Sequence, residues 1–141
     1  MQILDGKLVS RSVREQIKNV MEALSVKAVK TGFLVNADIV ETVADALKDH
    51  RMVLIVDATV AAPGKHPDSN MLQAMKNSLL PLANMITANV AEAEYLLDCK
   101  LANTSDLIEA AKSLAAAYQC NVLLKTGFAA DNNGRFSESQ P

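Results

Sequence analysis

Met52-Val53-Leu54-Ile55-Val56, followed at once by Asp57-Ala58-Thr59, is an uninterrupted apolar run that stops at a carboxylate and small polar residues. Rich in β-branched side chains, it suits a strand of a parallel sheet covered on both faces. It falls far short of the ~18 apolar residues of a membrane span. On either side of it, the apolar spacing alternates between helical and strand-like. Upstream, Val13, Ile17, Val20 and Leu24 recur at steps of three and four and predict a helix from Ser12. Ala28 to Leu34 reads as a strand, and Asn36 as the N-cap of a second helix whose stripe is Ile39, Val40, Val43, Ala44 and Leu47. Downstream, Asp68 or Ser69 opens a third helix carrying Leu72, Met75 and Leu79, which Pro81 follows closely. Met85 to Thr87 is a short strand, Ala91 to Leu97 a short helix, and Thr104 or Ser105 opens a helix with Leu107, Ile108, Ala111, Leu114, Ala115 and Tyr118 on one side. Asn121 to Lys125 returns as strand. The order αβαβαβααβ with right-handed crossovers predicts a three-layer α/β/α fold around a mostly parallel sheet.

The 141 residues are half hydrophobic, and 14 Lys and Arg against 16 Asp and Glu give a formal net charge of −2. A single domain over residues 1–141 is expected, with residues 1–10 a lead-in and residues 129–141 a polar tail. Asp5-Gly6 in the lead-in and Asn132-Asn133-Gly134 in the tail have the composition of turns. A slightly acidic chain with two Tyr, three Phe and no Trp offers neither a phosphate-binding field nor stacking platforms, so nucleic acid is excluded as a partner. Asp5 and Lys7 interrupt the N-terminus before any apolar stretch of signal-peptide length; no membrane association and a cytoplasmic location are expected. Cys99 and Cys120 lack the spacing of a disulfide framework and read as reduced thiols. His50 and His66 are ordinary surface histidines with no zinc-binding spacing.

The polar residues collect where the strands end. The first strand ends at Lys30-Thr31-Gly32, the second at Asp57-Ala58-Thr59, the third at Thr87-Ala88-Asn89 with Glu92 one helical turn on, and the fourth at Lys125-Thr126-Gly127. In open α/β sheets ligands lie beyond the carboxyl ends of the strands, where helix N-termini point outward. Lysine supplies a point charge for phosphate, glycine admits backbone N–H groups, and a carboxylate can hold magnesium through water. Lys-Thr-Gly-Phe occurs twice, at 30–33 and 125–128, without a wider repeat. Gly64-Lys65 lacks the rest of a P-loop, and no GxGxxG or nucleophile elbow is present.

From Ser12 to Gly127 these motifs resemble the hydroxymethylpyrimidine and phosphomethylpyrimidine kinases of thiamine biosynthesis, within the ribokinase-like superfamily. Ala28-Val29-Lys30-Thr31-Gly32-Phe33-Leu34 is similar to that family's AVKTGML, and Ile55-Val56-Asp57-Ala58-Thr59-Val60 to its VxDPVM. Leu79-Leu80-Pro81-Leu82-Ala83, Ile86-Thr87-Ala88-Asn89, Ala91-Glu92-Ala93-Glu94 and Val122-Leu123-Leu124-Lys125-Thr126-Gly127 resemble LLPLA, ITPN, PEAE and VLVKGG. The resemblance implies that Asn89 and Glu92 organise magnesium and the phosphates of ATP, with Asp57 beside them and both carboxylates reaching the metal through water. It implies that Lys125 and Gly127 border the nucleotide, and that Phe33 and Thr59 contact the pyrimidine. It assigns no catalytic residue to this chain.

The chain departs from the family in three loops: DPV becomes Asp57-Ala58-Thr59, ITPN becomes Ile86-Thr87-Ala88-Asn89, and VAKSG becomes Val60-Ala61-Ala62-Pro63-Gly64. The family's N-terminal pyrimidine-binding segment and C-terminal GTGC or GTGD anion hole have no counterpart, so the chain reads as a ribokinase-like core truncated at both ends. Losing even one oxyanion donor typically costs about 10²–10³ in rate, so ATP-dependent phosphoryl transfer is expected to be impaired. The alternatives are a noncatalytic α/β module derived from such a kinase and a pyridoxal kinase-like activity. A homo-oligomer is expected, because a core without its flanking strands exposes sheet edges and apolar patches. Met1 to Lys7, with Arg14-Glu15 and Ile17-Lys18, also resembles the start of methylenetetrahydrofolate dehydrogenase/cyclohydrolases, a likeness that stops there.

Overall fold

The computed structural model describes residues 6–126. Helix α1 (Gly6–Ala23) leads into strand β1 (Ala28–Thr31), helix α2 (Ala37–Leu47) and strand β2 (Val53–Asp57). Helix α3 (Ser69–Ala74) continues through a π-turn (Met75–Leu79) and a 3-10 turn (Leu80–Leu82) into strand β3 (Met85–Asn89). Helices α4 (Val90–Leu97) and α5 (Thr104–Tyr118) precede strand β4 (Asn121–Lys125). Side-chain caps fix the helix starts: Asn36 accepts from the Ile39 amide, Asp68 from Met71 and Asn103 from Asp106. The element order is the one the apolar spacing predicts. Three boundaries are corrected: β1 ends at Thr31 rather than Leu34, because the chain turns tightly at Val35 before α2; β3 runs on to Asn89, paired with β4; and α1 opens at Gly6, so residues 6–10 of the expected lead-in are helical. Lys7, Leu8 and Arg11 are good helix formers with no proline among them, and they extend the Ser12 helix backward. Asp5 of the expected turn and the tail 129–141 lie outside the described residues.

The four strands are all parallel, in the order β1-β2-β3-β4. Each crossover therefore moves one strand in the same direction, and right-handed connections then bring every helix to the same side. The register agrees. Val29 lies beside Leu54, Thr31 beside Val56, Val56 beside Ile86, Ile86 beside Val122, and Ala88 beside Leu124. This face packs under the helices in one core that includes Val40, Leu47, Met71, Met75, Leu79, Leu96 and Leu114. At the lower end Asn84 closes the sheet, its side chain accepting from the Leu54 amide (2.7 Å) and its amide donating to the Leu54 carbonyl (2.8 Å).

The opposite face carries Ala28, Val53, Ile55, Met85 and Leu123 toward the lower end and Lys30, Asp57, Thr87, Asn89 and Lys125 toward the upper end. Val53 and Leu123 are each 50% exposed, and no helix of the described residues covers them. Of the three layers expected, the sheet and one helical layer thus lie within residues 6–126. Cys99 and Cys120 are both free thiols. No helix of the described residues is long and apolar enough to cross a membrane.

The two faces predict different costs for the same truncation. Leu54→Ala, at a fully buried site, is expected to lose about 2–5 kcal/mol. Leu123→Ala on the helix-free face should lose about 1 kcal/mol or less. Urea unfolding monitored by far-UV circular dichroism measures both.

Candidate functional site

Period-two alternation decides which polar residues meet. Asp57 ends β2 beside Thr87 of β3, with Lys30 two residues down on β1 and Lys125 two residues up on β4. Asp57 consequently sits between two lysines: its Oδ2 lies 3.7 Å from Lys30 Nζ and its Oδ1 3.5 Å from Lys125 Nζ. The Thr59 hydroxyl donates to the same Oδ1 at 3.1 Å. The carboxylate is mostly sheltered while both ammonium groups are half exposed. Such long, solvated ion pairs contribute roughly 0–1 kcal/mol each. The lysines are therefore held in place without being saturated, and two cations against one anion leave a local excess of positive charge. Thr87 Oγ1, buried beside Asp57, has no hydrogen-bond partner among the described residues.

Beyond β3, Asn89 caps α4 through a reciprocal pair. Its Oδ1 accepts from the Glu92 amide and its own amide donates to Glu92 Oε2, both at 2.8 Å. Glu92 is buried by this arrangement, and the cap leaves the first-turn amides of Val90 and Ala91 without helical partners. Those amides and the helix dipole favour an anion. Magnesium takes oxygen ligands and keeps several waters. Glu92 Oε1 makes no hydrogen bond among the described residues, whereas both oxygens of Asp57 face lysines. This donor set fits an ion held through water at Glu92 rather than a direct cage; the described residues contain no group of three or more His, Cys, Asp or Glu able to hold a metal.

The remaining sequence-derived positions divide. Thr59 joins the Asp57 cluster. Phe33 is exposed in the segment after β1, where the Asn36 amide donates to the Leu34 carbonyl (2.8 Å) around Val35 at φ +70°. That tight turn is strained for a β-branched residue. Gly127 lies outside the described residues. Lys30 and Thr87 are site residues that the motif reading left out; their signal was parity, since each shares a face with Asp57. His66 Nδ1 lies 3.1 Å from the Tyr95 hydroxyl, tying the loop after β2 to α4.

The sequence profile described as phosphomethylpyrimidine kinase matches residues 6–138. The chain belongs to the phosphomethylpyrimidine kinase family. The hydroxymethylpyrimidine/phosphomethylpyrimidine kinase of Haemophilus influenzae is 33% identical over 120 residues, covering 83% of this chain and 45% of that protein. The crystal structure of a phosphomethylpyrimidine kinase from Clostridium difficile 630 superposes with a TM-score of 0.75 at 25% identity, over 84% of this chain and 53% of that one. An ADP complex of Bacillus subtilis pyridoxal kinase gives a TM-score of 0.70 at 28% identity, over 86% of this chain and 45% of that one. The chain thus spans about half the length of the kinases it matches. The α/β fold expected from the sequence is the fold of this family.

Two measurements probe α4. Asn89→Ala removes the cap and should destabilise by about 1 kcal/mol in urea unfolding, whereas Glu92→Gln keeps an acceptor and should cost less. Glu94, in the middle of the same helix, accepts from the Leu101 amide (2.9 Å) and Lys100 (2.9 Å), and these bonds hold its carboxyl below its ordinary value of 4.5. A folded-state value below the unfolded one stabilises above about pH 4.5 and is lost as pH falls through the folded value. Wild type should therefore lose stability faster than Glu94→Gln in an acid titration below that pH.

Proposed function

We propose that this chain forms the nucleotide-phosphate side of a magnesium- and ATP-dependent kinase that phosphorylates hydroxymethylpyrimidine or its phosphate, in the cytoplasm. The observation that carries the reading is Asp57 poised between Lys30 and Lys125 at the carboxyl edge of the sheet, in a chain of this family. Phosphoryl transfer asks the protein mainly to position the phosphates and to stabilise charge. Lys125 supplies a cation to the phosphates, and Asp57 aims both lysines while leaving their charge largely unspent. The Val90 and Ala91 amides add oriented dipoles. Glu92, steadied by Asn89, would hold magnesium through water, with Asp57 the second carboxylate to do so, and an ion bound there would supply charge neutralisation for the phosphates. Gly127 borders the nucleotide, and Thr59 and Phe33 contact the pyrimidine.

Two further points support parts of this reading. The likeness to a pyridoxal kinase bound to ADP favours a pyridoxal-type alcohol as the second substrate class. The helix-free sheet face, with Val53 and Leu123 half exposed, supports a homo-oligomer. A noncatalytic module that binds nucleotide weakly is the reading that remains if turnover is absent.

The test is calorimetric titration of ATP with and without magnesium, paired with ATP consumption in the presence of hydroxymethylpyrimidine. Lys125→Ala should weaken nucleotide binding by at least about tenfold, the effect of losing a charge-assisted bond. Glu92→Gln should abolish the magnesium dependence of that binding while the fold is kept. Binding that is unchanged in both variants sinks the site.

A further inference from the structure

Thr87, in the middle of β3, carries a hydroxyl that nothing satisfies. The residue is 8% exposed, and its Oγ1 is buried without a hydrogen-bond partner among the described residues. A buried polar group in this state costs stability and calls for an explanation. The register narrows the explanation. On the helix-free face, Thr87 lies beside Asp57 of β2 on one side and Leu123 of β4 on the other, with Met85 and Asn89 two residues away along its own strand. Leu123 offers no acceptor, Met85 only a weak thioether, and Asn89 Oδ1 is already taken by the Glu92 amide (2.8 Å). Asp57 is the acceptor that remains, and the Ala58 amide, donating to the Thr87 carbonyl (2.8 Å), pins the two strands side by side at that point. Yet the carboxylate is turned elsewhere, toward Lys30 and Lys125, with Thr59 as its hydroxyl donor.

We propose that Thr87 is a positioning residue for nucleotide phosphate: its hydroxyl is the donor that receives Asp57 when phosphate draws Lys30 and Lys125 away from that carboxylate. The inference rests on the kinase-family reading. The two ion pairs are long and solvated, so an anion of several charges displaces the carboxylate from them readily. Asp57 then becomes an uncompensated negative charge beside the phosphates, sheltered from water at 18% side-chain exposure. It needs a donor, and it needs distance from the phosphates. Thr87 supplies both, since it lies inside the sheet rather than at its edge, one strand spacing (~4.8 Å) from Asp57, a gap that a side-chain rotation between staggered wells covers. A carboxylate has about four acceptor positions, so Thr59 stays bonded when Thr87 joins. The resting protein leaves the hydroxyl unsatisfied and the phosphate-bound protein satisfies it. Part of the cost of parting Asp57 from its lysines is thereby recovered in the bound state. Thr31 is the contrast: its Oγ1 is likewise buried and unpartnered among the described residues, but it lies on the core face beside Val56, with no carboxylate in register.

The experiment titrates ATP with magnesium into the full chain by calorimetry and measures urea unfolding without nucleotide, for wild type, Thr87→Val, Thr87→Ser and Thr31→Val. Thr87→Val keeps the shape of the side chain and removes the hydroxyl. Its urea midpoint should stay level or rise, because an unsatisfied group is lost, while its ATP affinity falls about tenfold, the effect of losing a hydrogen bond to a charged group. Thr87→Ser should restore the affinity. Thr31→Val should move the midpoint in the same direction and leave the affinity as it is. In an Asp57→Ala background, Thr87→Val should no longer change the affinity, the mark of two groups that act together. Unchanged ATP affinity in Thr87→Val, a lowered urea midpoint in that variant, no rescue by serine, or an equal loss of affinity without Asp57 would each overturn the proposal. The same titrations separate it from the kinase reading: wild type that binds no ATP defeats both, and wild type that binds ATP no tighter than Thr87→Val defeats the Thr87 assignment alone.

Discussion

The one-way, right-handed path of the chain constrains everything else in this fold. Four parallel strands laid down in sequence order send every crossover to one side, so a single helical layer must bury Leu54, Val56, Ile86 and Ala88. These side chains hold the helices, the helices set the tilt of the strands, and the strands deliver their carboxyl ends to one edge. The same constraint leaves the other face free of helices within residues 6–126, and it is on that face that Lys30, Asp57, Thr87 and Lys125 converge.

The chemistry at that edge depends on weak bonds and strong ones being assigned to different groups. Asp57 is paired loosely to two lysines in solvent, which keeps them near each other and exchangeable. Glu92 is locked at its carboxylate by a short bond from the Asn89 backbone amide, while its own amide donates to the Asn89 side chain, and it needs no ligand to keep its rotamer. One carboxylate therefore tunes charge while the other keeps geometry. The tight turn at Val35 adds backbone strain next to the exposed Phe33, as often occurs where a loop meets a ligand.

Much of this was legible in the sequence, for identifiable reasons. Strand β4 is bounded by Cys120 and Thr126 as the apolar pattern requires, and Asn36 and Asp68 announce the helices they cap. The spacing of Asn89 and Glu92, singled out through the family resemblance, is in the structure a capping box. The continuous apolar run around Leu54 conceals its own two-fold alternation: Val53 and Ile55 belong to the helix-free face, which no property of the run alone separates from the buried one. The π-turn at Met75–Leu79 was invisible because steps of three and four read as an ordinary helix until Leu80-Pro81. Lys30 reaches Asp57 only through the register between strands, a long-range property that local pattern does not contain.

Sequential strand order has a kinetic consequence. Every strand pairs with the one made just before it, so no strand has to wait for a distant segment and each new pairing closes only one helical crossover. Parallel sheets are ordinarily slow to assemble because their contacts are far apart along the chain. Here the sheet can grow by accretion as the chain emerges during synthesis, each strand resting on a finished neighbour. A fold built this way buries its core strand by strand, each new helix covering the strands already in place.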